Sequence, residues 1–498
     1  METLQAIALL VVFIVITLLM SKRIWPALLA MPVLAVVIAL IAGIKPDDIF
    51  QHVIGEGSLR LAEPIIISMF GGILSVMMQK TGIAEGFIKK GAELSGDNPL
   101  VISVVMFLFI MLLFTTLGGL GAMIMVGAIV LPILTSVGIS RLTAAVIMLM
   151  GVSIGGMFNV GNWALYMNAL GLTQQEVVSF IMVLFGIVFA GSITYIIIQL
   201  YRDGFNLSVK NIVKSLSYLL LLGGLVFGGV WAFDNIELSE QLTHTFSVTG
   251  QVIYYIALAG MGLLFLHSVY RAWSHRNLPK NPMHWSAIFT PIIPLILILV
   301  FGVNFLSAFI LGIAYAYLIT YKRDNISTLI RSLIEGSAVV LPAVILMFGI
   351  GWLLVSVMGP PDMTREYLMA TYGTDVWPVR ELMQPFVARI IPSSGWMYVI
   401  TFTVLAPLAL YRGPLNVWGM GFGIASVMMA AGMPAGAILG MLWSVGQVQG
   451  ISDPTNLQNV WIANEMKIDV QKILYNTLPF SWVFAFLGLV AAAFMYYL

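Results

Sequence analysis

A polar interruption, GISDPTN (450–456), lies inside a long apolar stretch near the end of the chain. A carboxylate at the centre of a bilayer costs about 2.5–3.5 kcal/mol on insertion scales, so an aspartate there usually has a function. Gly450 and Pro454 are expected to end a helix, which frees carbonyl oxygens, and hard cations such as Na⁺ bind oxygen ligands. We therefore predict an ion-binding set formed by Ser452, Asp453 and Thr455. The alternative is that Asp453 only caps the helix that follows.

A second interruption, GGMFNVGN (155–162), contains two asparagines in matching register. Asn159 and Asn162 follow an upstream glycine by 21 and 24 residues, and Asp453 and Asn456 follow another glycine by the same offsets. A helix that begins in such a break presents backbone N–H groups, which favour an anion. The shared register predicts further ion ligands at Gly155 and Asn159 and substrate contacts at Asn162 and Asn456. As an alternative, the asparagines are simple helix caps.

Two hairpins of apolar segments precede these interruptions. In the first, Pro99 opens a segment that ends at TTLGGLG (115–121); in the second, Pro392 opens one that ends at YRGPLN (411–416). We predict that both hairpins are re-entrant and that their tips bind substrate through Thr115, Thr116, Gly119, Arg412, Gly413 and Asn416. The Arg412 guanidinium suits bidentate binding of a carboxylate. The alternatives are a snorkelling arginine and glycines that serve close helix packing.

The composition indicates that all of this lies in a membrane. Of 498 residues, 60% are hydrophobic and 9% charged, with a mean hydropathy of +1.01. Soluble domains average about 25% charged residues, so this chain cannot cover a water-facing surface. A net charge of +1 suggests no nucleic-acid partner, and the absence of cysteine excludes disulfides. The five histidines show no metal-ligand spacing, so no cofactor or metal beyond a possible Na⁺ is expected.

Stretches of about 20 apolar residues predict the membrane-spanning helices. They are 4–20, 26–43, 62–79, 176–201, 212–233, 248–270, 285–300, 302–321, 338–358 and 474–497. The lysines and arginines between them predict a topology in which the basic loops face the cytoplasm and both termini lie outside.

The chain also contains an internal repeat. Glu-Gly-Ser at 56–58 and again at 335–337 precedes a proline, Pro64 or Pro342, that is expected to open an apolar helix containing Met-Phe-Gly. The predicted topology gives these two helices opposite directions. The repeats are then 1–201, with hairpin 98–137 and broken helix 139–170, and 284–498, with hairpin 392–431 and broken helix 433–465; a connector, 202–283, joins them. Inverted repeats with interrupted helices are typical of secondary transporters.

Within the first repeat, Glu56, Arg60 and Glu63 have helical spacing and are expected to neutralise one another. Glu335 of the second repeat is likewise expected to have a structural role.

This layout resembles the ion transporter superfamily, and most closely its gluconate permease and citrate transporter branch. The resemblance rests on the pattern of 126–156 and of AAGMPAGAILGMLWSVGQVQGISDPTN (430–456). It implies an all-α, elevator-type transporter that forms a homodimer, with substrate between the hairpin tips and the two breaks.

The sequence thus predicts a secondary active transporter of a bacterial inner membrane, carrying a small organic anion with Na⁺ or H⁺. The alternative is a Na⁺/H⁺ antiporter that exchanges its ions at Asp453. Arg412 argues against that alternative, because a fixed positive charge repels a cation. An enzyme is not expected, since no nucleophile or metal set is evident.

Overall fold

The computed structural model describes residues 2–22, 24–95, 98–205, 240–276, 284–322, 325–388 and 391–497. Every regular element among these residues is helical, as the predicted all-α class requires. The predicted helix 212–233 and most of the predicted connector lie outside the described residues.

The helices up to residue 205 are α1 (Glu2–Ser21), α2 (Ala27–Ile41), α3 (Ala62–Lys80), α4 (Ile83–Ser95), α5 (Pro99–Phe114), α6 (Gly119–Ser136), α7 (Arg141–Met157), α8 (Val160–Leu170) and α9 (Gln174–Arg202). Short turns at Pro46–Asp48 and Gly57–Leu59 and a π-helix at Ile49–Glu56 lead into α3.

The later helices are α10 (Glu240–His275), α11 (Ile293–Leu299), α12 (Phe305–Ile319), α13 (Ile326–Met358), α14 (Arg365–Tyr372), α15 (Pro378–Val387), α16 (Gly395–Leu405), α17 (Phe422–Ala430), α18 (Ala435–Ser452), α19 (Leu457–Met466) and α20 (Val470–Tyr496). Between them lie 3₁₀ stretches at Trp285–Phe289 and Ala406–Arg412 and a π-helical turn at Val417–Gly421.

Seven helices in the described part of the chain are long and apolar enough to cross a membrane, or up to nine if each of two bent pairs counts as one span. The chain is therefore a multi-pass membrane protein. Six of the predicted spans fall on these seven helices: 4–20, 62–79, 176–201, 248–270, 338–358 and 474–497. Two more, 26–43 and 302–321, form the shorter apolar helices α2 and α12.

The predicted span 285–300 is wrong as a continuous helix. The chain there forms the 3₁₀ stretch Trp285–Phe289 and then the seven residues of α11. Pro291 and Pro294 explain the interruption, because proline has no N–H to donate and restricts the residue before it.

The expectation that Pro342 opens a helix is also wrong. α13 begins at Ile326, so Pro342 lies well inside it. Pro64, in contrast, is the third residue of α3, where a helix does not need the missing N–H. Neighbouring helices and small adjustments can satisfy the backbone around a proline within a membrane helix, which is why such prolines are tolerated there.

In the first repeat, the charged side chains around the Glu-Gly-Ser motif form hydrogen bonds other than those predicted. The expected mutual pairing of Glu56, Arg60 and Glu63 is wrong: Glu56 bonds His52 at 2.6 Å, and Glu63 accepts from Asn168 at 3.2 Å. Glu335 forms a 2.8 Å ion pair with Lys80, consistent with a structural role.

The chain divides into two compact units, each of which draws on both predicted repeats. Unit 1 comprises Met1–Ser68, Gly161–Ile187 and Leu341–Leu498, and unit 2 comprises Met69–Val160 and Val188–Val340.

In each unit, the glycine of one Glu-Gly-Ser motif contacts the backbone just after the Met-Phe-Gly of the other repeat. In unit 1, a Cβ on Gly57 would lie 2.9 Å from Trp352 Cα, and one on Gly351 would meet the Gly57 carbonyl. In unit 2, a Cβ on Gly336 would lie 2.6 Å from Ile73 N, with Gly72 facing the Gly336 carbonyl. Only glycine permits such approach of two helices.

Gly336→Ala should therefore destabilise the protein, because its methyl group would collide with backbone that cannot move aside. Overpacking of this kind costs about 1–3 kcal/mol. Thermal unfolding of the purified protein in detergent should show a lower midpoint for Gly336→Ala. Gly186→Ala is the matched control, since nothing lies within 4 Å of that Cβ; an equal loss in both variants would contradict the packing argument.

Candidate functional site

The second hairpin places an irregular tip between two helical arms. Its first arm is α16 with the 3₁₀ stretch Ala406–Arg412, its second is the π-helical turn Val417–Gly421 with α17, and the arms are bent by 99°. These elements lie within 392–431, the segment in which the sequence predicts a hairpin. Ser394 caps the first arm by accepting from the Met397 amide.

Two consecutive residues of the tip have a left-handed backbone. Tyr411 has φ 55° and Arg412 has φ 56°. For residues with a Cβ this conformation costs about 1–2 kcal/mol each, so surrounding contacts must hold it in place. Gly413 follows with an extended backbone, and a Cβ there would meet the Leu408 carbonyl. The tip is therefore a tight, strained turn.

The second interruption of the helices comes between Ser452, which ends α18, and Leu457, which begins α19. α18 runs through Gly450, so the expectation that this glycine ends the helix is wrong. Asn456 is the N-cap of α19 and accepts from Gln458 N at 3.4 Å. The helix that follows the break is thus capped by Asn456, not by Asp453.

The Asp453 carboxylate connects this break to the hairpin tip. It is only 1% exposed, and its Oδ1 accepts from Tyr411 N at 3.0 Å, Thr455 N at 2.9 Å and Thr455 Oγ1 at 2.8 Å. Within the described residues, the other oxygen, Oδ2, receives no hydrogen bond. An ionised carboxylate acts only as an acceptor, and three donors on one oxygen suit that form.

A second bond attaches the tip, at residue 417, to the last turn of α18. Gln449 Oε1 accepts from Val417 N at 2.7 Å, and Asn416 Nδ2 donates to Ala409 O at 3.1 Å. Both side chains are buried. Gln449 was not predicted from the sequence, although it lies four residues before Asp453, in the last turn of α18. An amide at that spacing from a membrane-embedded acid is the signal that could have identified it.

Other predicted residues of this region have different surroundings. Ser452 Oγ lies 2.8 Å from both Thr477 Oγ1 and Ser481 Oγ, so its hydroxyl bonds α20. Arg412 is exposed and forms no ion pair with any described residue. The structure thus joins Asp453 to the backbone of the tip, with Thr455 bonded to the same carboxylate oxygen, and it leaves the Arg412 guanidinium available to an anion.

The segment predicted as the first hairpin, 98–137, contains α5 and α6, and the residues between them, 115–118, include no charged group. Thr115 Oγ1 donates to Leu112 O at 2.8 Å or to Pro291 O at 3.3 Å, and Thr116 Oγ1 donates to Leu113 O at 3.3 Å. Gly119 has φ 80°, which favours glycine. Both predicted threonines are buried and bonded to carbonyl groups.

The first broken helix consists of α7 and α8, bent by 53°, with Phe158 and Asn159 between them. The predicted ion ligand Gly155 lies inside α7, where a Cβ would be 2.6 Å from Met111 O of α5. Close packing explains this glycine, and its carbonyl accepts from Phe158 N at 3.1 Å. Asn162 lies in the first turn of α8.

The predicted site residues divide between the two units. Unit 2 contains Thr115, Thr116, Gly119, Gly155 and Asn159, and unit 1 contains Asn162, Arg412, Gly413, Asn416, Ser452, Asp453, Thr455 and Asn456. Among the described residues, no group of three or more His, Asp or Glu side chains is placed to hold a metal ion.

No family model matches the chain, and no curated protein matches it. Among solved structures, it is similar to the YdaH transporter of Alcanivorax borkumensis, at 15% identity over 87% of this chain and 84% of that one, with a TM-score of 0.43. It is also similar to MtrF of Neisseria gonorrhoeae, from a class of antimetabolite efflux pumps, at 12% identity over 91% and 85% of the two chains, with a TM-score of 0.41.

Gln449→Leu should destabilise the second hairpin, because it leaves the buried Val417 N–H without an acceptor. Such a loss costs about 1–3 kcal/mol. Thermal unfolding of purified Gln449→Leu should show a lower midpoint than the wild type; an unchanged midpoint would mean that the bond does not stabilise the tip.

Proposed function

We propose that this protein is a secondary active transporter that moves a small organic anion, a carboxylate, across the membrane coupled to Na⁺ or H⁺. The observation that carries the proposal is the connection between Asp453 and the second hairpin tip. A buried carboxylate in a helix break holds the backbone of Tyr411, and the next residue presents the exposed Arg412 guanidinium. A cation-binding group and an anion-binding group thus share one hydrogen-bonded turn.

The coupling ion belongs at Asp453. Its Oδ2, which no described residue bonds, can bind a proton or contribute to a Na⁺ site. Thr455 lies within the same bonded group, and the backbone carbonyls freed by the break are further oxygen ligands. Ser452 is less suited to this role because its hydroxyl is already bonded to Thr477 and Ser481.

The carboxylate of the substrate belongs at Arg412, with Asn456 and Asn162 as further polar groups of the same unit. We leave Gly155 out of the ion site, because its packing against α5 accounts for it.

Two inverted repeats would supply the scaffold. The opposed glycine contacts support this part of the proposal: the Gly57 motif contacts the backbone beyond Met-Phe-Gly of the second repeat, and the Gly336 motif contacts the same place in the first. Reciprocal contacts of this kind are expected of two repeats related by a two-fold axis, as inverted repeats are. The elevator movement, the homodimer, the inner-membrane location and the gluconate and citrate branch are proposals that rest on the resemblance of the sequence.

Uptake into proteoliposomes tests the function. We expect one of a panel of small labelled carboxylates to accumulate against its gradient when either a Na⁺ gradient or a pH gradient is imposed alone. The gradient that drives uptake identifies the coupling ion. Empty liposomes and liposomes with both gradients collapsed are the controls. If no carboxylate moves but a Na⁺ gradient shifts the internal pH, the protein is an antiporter.

Arg412→Ala should raise the KM for uptake about 10- to 100-fold, because a charge-assisted hydrogen bond contributes about 1.5–3 kcal/mol. Arg412→Lys should retain part of the affinity, since it keeps the charge without the planar fork. Arg365→Ala, which removes an exposed arginine from α14, should leave KM unchanged. Uptake at wild-type affinity in Arg412→Ala would exclude the arginine from the substrate site.

A further inference from the structure

The last turns of α10, in unit 2, carry large aromatic side chains on their outer surface. Tyr270 and Trp273 are each 64% exposed, and Trp285, in the 3₁₀ stretch that follows α10, is 62% exposed. Tyrosine and tryptophan are enriched where a membrane helix meets the lipid headgroups, because each combines an apolar ring with a polar tip. The three rings therefore indicate that the end of α10 lies at the headgroup level.

Two arginines lie at the same level as these rings. Arg271 follows His267 by four residues, which puts both side chains on one face of α10. The Arg276 guanidinium carbon lies 5.7 Å from the centre of the Trp273 ring, which is a cation–π contact. Arg276 forms no ion pair with any residue that the structure describes. The end of the helix thus combines positive charge with aromatic surface.

Two histidines join α10 to the 3₁₀ stretch beside Arg271. The rings of His267 and His284 are 4.7 Å apart, and their Nδ1 atoms lie 3.4 Å and 2.8 Å from the Ser286 hydroxyl oxygen. Tyr315 of α12 fixes this stretch by donating its hydroxyl hydrogen to Ser286 O at 2.8 Å. The histidines are therefore held in place by contacts from two helices.

The hydrogen bonds of His284 decide which of its ring nitrogens carries a hydrogen. Burial lowers the pKa of His284, and Arg271 and His267 nearby lower it further, so the ring is neutral near pH 7. Its Nδ1 accepts from Ser286 N at 3.3 Å, which leaves the single ring hydrogen on Nε2. No described residue accepts that hydrogen. His284 therefore offers one N–H donor close to the Arg271 charge.

From these contacts we infer that the end of α10 is a binding site for the phosphate group of an anionic phospholipid. Arg271 and Arg276 supply positive charge, and the His284 Nε2–H supplies a hydrogen bond that orients the phosphate. Trp273 and Trp285 then contact the glycerol and the first carbons of the acyl chains. A guanidinium can bind phosphate bidentately, and basic groups between membrane helices on the cytoplasmic side are typical of headgroup sites.

The surface of α10 favours a lipid over a soluble anion. Four exposed side chains recur at intervals of three or four residues and so lie on one helix face: Leu263, Leu266, Tyr270 and Trp273. This stripe runs from the apolar part of a membrane-spanning helix to its basic end. An acyl chain can lie along the stripe while its phosphate reaches the arginines, whereas a free phosphate would make no use of it.

The elements packed around this end of α10 leave its positive charge uncompensated. α4 packs against the 3₁₀ stretch, and its two acidic residues are paired within the helix: Glu85 with Lys89 at 2.5 Å, and Glu93 with Lys90 at 2.9 Å. α12 packs against α10 and contains no acidic residue. The predicted topology places this end in the cytoplasm, where the membrane surface is negatively charged.

Lipid titration of the purified protein in detergent tests the inference. Phosphatidylglycerol should raise the thermal unfolding midpoint in a saturable way, because a ligand that binds only the folded state stabilises it. Phosphatidylcholine with the same acyl chains should have little effect, since its headgroup has no net charge. Equal effects of the two lipids would overturn the inference. Glycerol phosphate that binds as tightly as phosphatidylglycerol would also overturn it, because the site would then be one for a soluble anion.

The double variant Arg271→Gln/Arg276→Gln should raise the apparent Kd for phosphatidylglycerol about 10- to 30-fold, as expected for the loss of two positive charges near a membrane surface. Arg141→Gln/Arg331→Gln is the matched control, because it removes two exposed arginines from other helices of the same unit. Wild-type affinity in the first variant, or an equal loss in the control, would contradict the assignment.

A photoreactive phosphatidylglycerol decides the question on the wild type if the double variant does not fold. With the reactive group in the headgroup and the protein in nanodiscs, the label should be found within 267–276 or 284–289, and unlabelled phosphatidylglycerol should compete with it. Labelling confined to other segments, or labelling without competition, would overturn the inference. Neither measurement involves a transported substrate, so the result does not depend on the proposed function.

Discussion

Inside a bilayer, every backbone N–H and C=O must find its partner within the protein. An unbroken helix meets this requirement by itself, and a broken one does not. Each interruption therefore has to be compensated by side chains, and the second half of this chain shows how. Asp453 accepts the Thr455 and Tyr411 amides, Gln449 accepts the Val417 amide, and Asn456 caps the next helix. The polar residues that looked out of place in the sequence satisfy backbone that the breaks expose.

The same constraint allows a residue that holds the structure together to serve the proposed binding as well. A carboxylate that satisfies backbone amides is also a group that can bind a cation, so capping and ion binding do not exclude one another. Of the two alternatives weighed for Asp453 from the sequence, the structure bears on the capping role alone. The carboxylate bonds its own break, as a cap would, and it also reaches a second segment, which a simple cap of α19 would not do.

An acid, a proline and clustered glycines seldom occur in apolar stretches unless the helix breaks there. The described helices do end at Met157, Arg412 and Ser452, inside the polar interruptions visible in the sequence. Pro342 was misjudged because a proline within a membrane helix depends on neighbours that no local pattern records. The left-handed backbone of Tyr411 and Arg412 could not be predicted either, since neither residue favours it and only the distant Asp453 accounts for it. Gln449 was missed because a single amide in a helix has many ordinary uses.

The two hairpin tips differ in a way that their matching places in the chain would not suggest. The first turns through glycines and has two hydroxyls bonded to nearby carbonyls, while the second carries a charge and a strained backbone. A perfectly symmetric pair of repeats would give two conformations of equal energy, each the counterpart of the other. Here only the second tip has a strained backbone. A conformation that relaxes the second tip is therefore stabilised, whereas the corresponding change at the first tip relieves no strain. In the transporter proposed above, such an inequality would set the resting preference between facing outward and facing inward, even before any gradient acts on the molecule.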